Sequence, residues 1–171
     1  MTEQEKLARE EEFKTNLSGE LLVNALEFVN YMDETCGIVN DPFNPRAWLH
    51  KDYAGEIICF TVTDSGNFYI FVDGPESSVC NSDFDKYPIS DEMKEFVYSH
   101  IQHCSYMKSD GKECGCSEKR WRNFTILGRK YENLCYCCIC FKNPDTETFE
   151  KLKELVPIWK LCIDAVKQAE K

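Results

Sequence analysis

The sequence predicts an α+β fold: an antiparallel sheet of about five strands, in the chain order α-βββ-α-ββ-α, with helices packed on one face. Three observations lead there. Strand-like runs come in clusters joined by hairpin-turn residues instead of alternating singly with helices. Segments with apolar residues at helical spacing stand before, between and after those clusters. With 171 residues, 43% hydrophobic and 13% aromatic, the chain is long and apolar enough to bury a core without staples. It divides into an acidic N-terminal helix or frayed tail over 1–17 and a single α+β domain over 18–171.

Residues 2–16 are rich in Glu and Lys, with Leu7 and Phe13 as the large apolar side chains. Ser18 offers an N-cap to a helix over 19–35, on which Leu22, Leu26, Val29 and Met32 form the expected buried stripe and Gly37 the stop. The segment NDPFNPRAW, with its two prolines, reads as loop. Trp48–Tyr53, then EIICFTVT, then FYIFVDG make three strands of a meander, the last two joined by Asp64-Ser65-Gly66-Asn67. After a loop over 74–89, Ser90 caps a helix with Asp91 and Glu92 at its positive end. Its apolar face, Met93, Phe96, Val97 and Ile101, continues to Cys104. WRNFTILG and KYENLCYCCICF follow as a second hairpin divided at Gly128-Arg129, the latter strand running through to Phe141. Asn143-Pro144 supplies the cap and first residue of a last helix, in which Pro157 forces a kink or a new turn.

Charge excludes one class of partner. A formal charge of −10 and a pI near 4.8 oppose the clustered Lys and Arg that phosphate contacts need, so no nucleic acid partner is expected. No window approaches the roughly 20 apolar residues that cross a bilayer, and no membrane partner is expected. The charged start MTEQEKLAREEEFK has no apolar run of signal-peptide type, and a cytoplasmic location follows as the expectation. There the eleven cysteines are reduced or metal-bound instead of paired.

Seven of those cysteines fall between His100 and Phe141. Structural zinc takes four thiolate or imidazole ligands in a tetrahedron. Cys114-Gly-Cys116 can give two from a tight turn in a polar loop, where buried packing does not suit a thiol. Cys104 at the expected helix end and Cys135 at the start of the long strand complete a quartet. Strand alternation puts Cys135 and Cys137 on one face and Cys138 and Cys140 on the other; Cys137 is thus a substitute ligand at most, and Cys137, Cys138 and Cys140, like Cys59 and Cys162, read first as packing residues. His100 is a reserve ligand. Glycine-rich phosphate loops, nucleophile elbows and H-E-x-x-H are absent from the sequence.

The string TILGRKYENLCYCCICFKNPDTETFEKLKELV, preceded by His103-Cys104 and Cys114-Gly-Cys116, resembles a poorly characterised cysteine-rich bacterial domain. That family carries a C-G-x-C-G-x-C-like cluster followed by a segment of the form "FGKEFENVC…F.NPD", alone or fused to helix-turn-helix regulators. The resemblance covers about residues 90–156 and rests most on Gly128, Glu132-Asn133, Cys135 and Phe141-Lys142-Asn143-Pro144-Asp145. It implies the same four positions, Cys104, Cys114, Cys116 and Cys135, and no known reaction. This chain departs from the family by a longer spacing between Cys104 and Cys114.

The sequence thus points to a non-enzymatic, zinc-containing domain that senses a small molecule or binds a protein partner. Trp48, Tyr53, Tyr69, Phe71 and Trp121 are its candidate pocket walls. The alternatives are a thiol- or metal-dependent enzyme, such as one with an iron–sulfur cluster on the same cysteines, and a metal-free structural domain.

Overall fold

The computed structural model describes residues 2–40, 47–51, 57–72, 89–101, 122–134 and 139–169. The fold is α+β with antiparallel strands. Its elements are α1 (Glu3–Asn16), α2 (Gly19–Thr35), β1 (Gly37–Asn40), β2 (Ala47–Lys51), β3 (Ile57–Asp64), β4 (Asn67–Val72), α3 (Asp91–Ser99), β5 (Arg122–Ile126), β6 (Arg129–Leu134), β7 (Cys140–Lys142) and α4 (Thr146–Ala169). Five strands form one sheet in the order β1-β2-β3-β4-β7, and β5 and β6 form a second. The chain separates into two compact units, Met1–Ile70 with Phe141–Pro157, and Phe71–Cys140 with Ile158–Lys171.

In the first unit the acidic N-terminus is a helix. Thr2 and Glu5 close a capping box: the Thr2 amide and hydroxyl donate to the Glu5 carboxylate, and the Glu5 amide donates to the Thr2 hydroxyl. Leu7 stays exposed, while Arg9 and Phe13, one turn apart, are buried. In α2 the expected stripe is rotated. Ala25, Phe28, Val29 and Met32 are buried, and Leu22 and Leu26 only half so, because a face centred on Phe28 meets the aromatic core. Ser18 is the N-cap, although its side chain makes no capping bond.

Of the segment expected as loop, 41–46 lie outside the described residues, while Asn40 closes β1 and Ala47 and Trp48 open β2. Gly37 is the first residue of β1, not a helix stop; the helix ends at Thr35, with extended Cys36 as its cap. Ile38 and Val39 give this short segment strand character, and it pairs antiparallel with β2, Ile38 opposite His50 and Asn40 opposite Trp48. β2 in turn pairs with β3, Trp48 opposite Thr61 and His50 opposite Cys59. The β3–β4 hairpin turns on Ser65 and Gly66, both at positive φ (50° and 82°), the requirement of a two-residue turn that matches strand twist.

Phe68 on β4 sits at the centre of the unit's core. Its ring meets Phe13 edge-on at 5.5 Å and stacks on Phe149 at 6.0 Å, and Phe149 meets Phe28 at 5.5 Å. The backbone beside it is fastened by Asn143, which adopts a positive φ of 47°. The Asn143 amide donates to the Phe68 carbonyl and the Phe68 amide to Asn143 Oδ1, both at 2.8 Å. Asn143 is therefore a latch on β4 and not the expected helix cap. That role falls to Asp145, whose Oδ1 accepts from the Thr148 amide at 2.9 Å.

Pro157 neither ends α4 nor starts a new helix; the helix runs from Thr146 to Ala169 with the proline inside. Proline has no N–H for the carbonyl four residues earlier, that of Lys153. The Tyr31 hydroxyl on α2 donates to that carbonyl at 2.9 Å, replacing the missing bond. Tyr31→Phe is accordingly expected to lower stability by about 1–2 kcal/mol in denaturant unfolding, because it strands a carbonyl that the helix itself cannot serve.

In the second unit α3 starts as expected, with the Ser90 hydroxyl accepting from the Met93 amide at 3.2 Å. It stops early. His100 is the C-cap, with Nδ1 at 2.8 Å from the Phe96 carbonyl, and Ile101 leaves the helix to form an antiparallel bridge with Ile139. The helix thus stops at Ser99, short of the expected end at Cys104, which lies outside the described residues. β5 and β6 form the expected hairpin, but its turn is Leu127-Gly128, with φ of 49° and 83°, not Gly128-Arg129. Arg129 lies over the Tyr98 ring at 3.8 Å and pairs with Glu95, and the Tyr98 hydroxyl donates to the Leu127 carbonyl, which fixes the hairpin on α3.

The single strand expected from Lys130 to Phe141 is two strands. Asn133 has a positive φ of 58°, β6 ends at Leu134, and β7 begins at Cys140 in the other sheet. The alternation that sorted the thiols of this run needs one continuous strand, so it no longer sorts Cys135, Cys137 and Cys138.

Candidate functional site

Cys104, Cys114, Cys116 and Cys135, with Tyr53 and Trp121, lie outside the described residues. Among the described residues no group of three or more His, Cys, Asp or Glu is placed to hold a metal ion. Cys59 and Cys140 are buried, as expected for thiols that pack. Also among the described residues, no helix is long and apolar enough to cross a membrane.

Of the candidate wall residues in the first unit, Trp48 and Tyr69 are described, and they lie on opposite faces of its sheet. Trp48 is buried on the side of the first unit's sheet that faces α1, where its indole Nε1 donates to Glu12 Oε2 at 3.1 Å. Tyr69 alternates along β4 with Phe68 and Ile70, which are fully buried. Phe68 meets Phe13 of α1, so Tyr69 belongs to the opposite face. There the Lys142 ammonium lies 5.7 Å from its ring. Phe71 is buried and falls in the second unit.

Sequence reading overlooked the chemistry around Trp48. Alternation puts Trp48 and His50 on one face of β2, and Cys59, Thr61 and Thr63 on the matching face of β3. One turn of α1 lies above them. The Glu12 carboxylate accepts from Trp48 with one oxygen and from the Thr63 hydroxyl with the other. The Arg9 guanidinium lies 5.8 Å from the Trp48 ring centroid, and its Nη2 donates to Asn30 Oδ1 of α2 at 3.4 Å. Arg9, His50, Thr61 and Thr63 are the buried polar side chains among the described residues. The available signals were the i, i+2 pattern of Trp48-x-His50 and Thr61-x-Thr63 and the one-turn spacing of Arg9 and Phe13; of these residues Trp48 was singled out, as a pocket wall.

Within this cluster His50 is wholly enclosed. Its Nε2 lies 3.0 Å from the Thr61 hydroxyl, and its Nδ1 has no hydrogen-bond partner among the described residues. Burial, and secondarily the positive charge of Arg9, push its pKa down to about 3, so the ring is neutral at physiological pH. Burial also lowers the pKa of Arg9, opposed by the negative charges of Asp33 and Glu10. A hydroxyl beside a histidine suggests nucleophilic catalysis, but among the described residues no carboxylate orients the ring: both Glu12 oxygens bond Trp48 and Thr63, and Thr61 is itself fully buried. The arrangement fastens α1 to the sheet through charge and hydrogen bonds.

Compared with known proteins, the chain matches no protein-family model, no curated protein and no solved structure.

Proposed function

We propose that this chain is a non-catalytic, cytoplasmic binding module whose second unit holds one zinc ion on Cys104, Cys114, Cys116 and Cys135 and acts by binding a small molecule or a protein partner. The observation that carries the zinc assignment is the junction at Ile101. Ile101 bridges Ile139, and the Cys140 amide donates to the His100 carbonyl at 3.2 Å, so the end of α3 and the start of β7 are held side by side. Cys104 is three residues beyond Ile101, and Cys135 four residues before Ile139 and next to the end of β6. At full extension these thiols lie at most roughly 10 and 14 Å along the chain from the bridge. Cys114-Gly-Cys116 belongs to the segment that leaves the same bridge and returns to β5.

Zinc bound there would tie residues 102–121 to the sheet by four thiolates, supplying order that so polar a segment does not draw from burial. The cysteine-rich bacterial domain that residues 90–156 resemble supports the same four positions. Cys116→Ser is expected to lose most of the bound zinc when the purified variant is analysed, while Cys59→Ser, a change at a buried thiol in the first unit, keeps it. Full zinc content in Cys116→Ser would overturn the quartet.

A further inference from the structure

α1 is held to its sheet and to α2 largely through polar side chains. Of its fourteen residues only Arg9 and Phe13 are buried, and the rest of the attachment runs through Glu12 to Trp48 and Thr63, Arg9 to Asn30, and an ion pair from Lys6 to Asp33 at 2.9 Å. Beneath the helix lies His50, closed off from solvent. The charged group acting on the ring is the Arg9 guanidinium. Among the described residues no carboxylate bonds the ring: on α1 the Glu12 oxygens are bonded to Trp48 and Thr63, and on α2 Asp33 is ion-paired with Lys6. β3 presents Cys59 and Thr61, and β1, with the sequence GIVN, has no titratable side chain.

We propose that α1 is an acid-released strap with His50 as its trigger. A proton taken up by the buried imidazole sets a second cation beside Arg9, where no carboxylate of the described residues bonds it. The helix then lifts away, carrying Arg9 off and opening the Trp48–His50–Thr61 face to water. Release also withdraws Phe13 from Phe68, and that apolar contact keeps the strap closed at neutral pH.

The direction follows from linkage. Docked, the ring has a pKa of about 3; released, it regains a value of about 6.5. The released form therefore binds the proton more tightly, and acid favours it. Above about pH 6.5 there is no effect; below it the released-to-docked ratio rises about tenfold per pH unit until about pH 3.

Hydrogen exchange of the full chain, corrected for the intrinsic change of exchange rate with pH, tests this. Between about pH 7.5 and pH 5 the amides of α1 are expected to lose roughly thirtyfold in protection, with β3 losing far less, and His50→Gln is expected to flatten the response of α1. Parallel loss of protection in α1 and β3 would overturn the proposal, as would an unchanged pH course in His50→Gln. Should that variant fail to fold, the comparison of α1 with β3 in the unaltered chain decides alone.

Discussion

Phe68→Ala is expected to destabilise the first unit by about 3–5 kcal/mol, the range for removing a large buried aromatic side chain. Phe68 is fully enclosed and is the ring that Phe13 of α1 and Phe149 of α4 both meet. Truncation leaves a cavity bounded by elements from three parts of the chain. The backbone bonds of Phe68 to Asn143 survive the change, so the loss reports packing and not strand pairing. With domain stabilities of about 5–15 kcal/mol, a loss of this size brings the unit near its threshold. Denaturant unfolding should show a lower midpoint with little change in slope, and Phe68→Leu, which refills part of the space, should lose less. A loss below about 1 kcal/mol for the alanine variant would mean that the three rings do not form the core.

Glu12→Ala carries the second large effect, about 2–4 kcal/mol, because it leaves two donors at a buried face, the Trp48 indole and the Thr63 hydroxyl, without their acceptor. Glu12→Gln keeps one acceptor oxygen and should lose less. The double change Glu12→Ala with Trp48→Phe removes an orphaned donor along with its acceptor, so its total is expected to fall short of the sum of the single losses. Additive losses would show that Trp48 and Glu12 do not interact.

These two residues mark how far the sequence was legible. Periodicity located α2 to its observed ends and the β3–β4 hairpin to its turn, because a long amphipathic run and a Ser-Gly pair with tolerance for positive φ are local signals. It misplaced features decided by distant partners. The Asn143-Pro144 pair has the composition of a helix start, yet Asn143 is taken up by Phe68, far away in the chain. Pro157 has the composition of a break, yet Tyr31 supplies the lost hydrogen bond. The apolar face of α3 suggested a helix continuing to Cys104, but pairing with Ile139 draws Ile101 into extended backbone. The unbroken β-rich run to Phe141 concealed Asn133, whose left-handed backbone lies at the bulge of β6 between the Phe124–Tyr131 and Arg122–Leu134 pairs, and concealed that β6 and β7 belong to different sheets.

The polar cluster under α1 was illegible for a related reason. Its members come from α1, β2 and β3, each member is unremarkable alone, and a Glu-rich helix of low apolar content predicts exposure. Only the register of β2 on β3 makes Trp48, His50, Thr61 and Thr63 a single surface for Arg9 and Glu12 to cover. The cysteine quartet is the opposite case: it was inferred from residue types and spacing, its four thiols lie outside the described residues, and the structure describes the Ile101–Ile139 bridge between the chain segments that flank them.

The central claim is that those four cysteines hold a single zinc ion. Metal analysis of the full chain purified without added metal, read together with its visible absorption spectrum, tests it most directly. One zinc per chain in a colourless protein is the predicted result. A brown chromophore with iron would contradict it in favour of an iron–sulfur centre on the same thiols, and protein free of metal would contradict it in favour of a fold whose cysteines only pack.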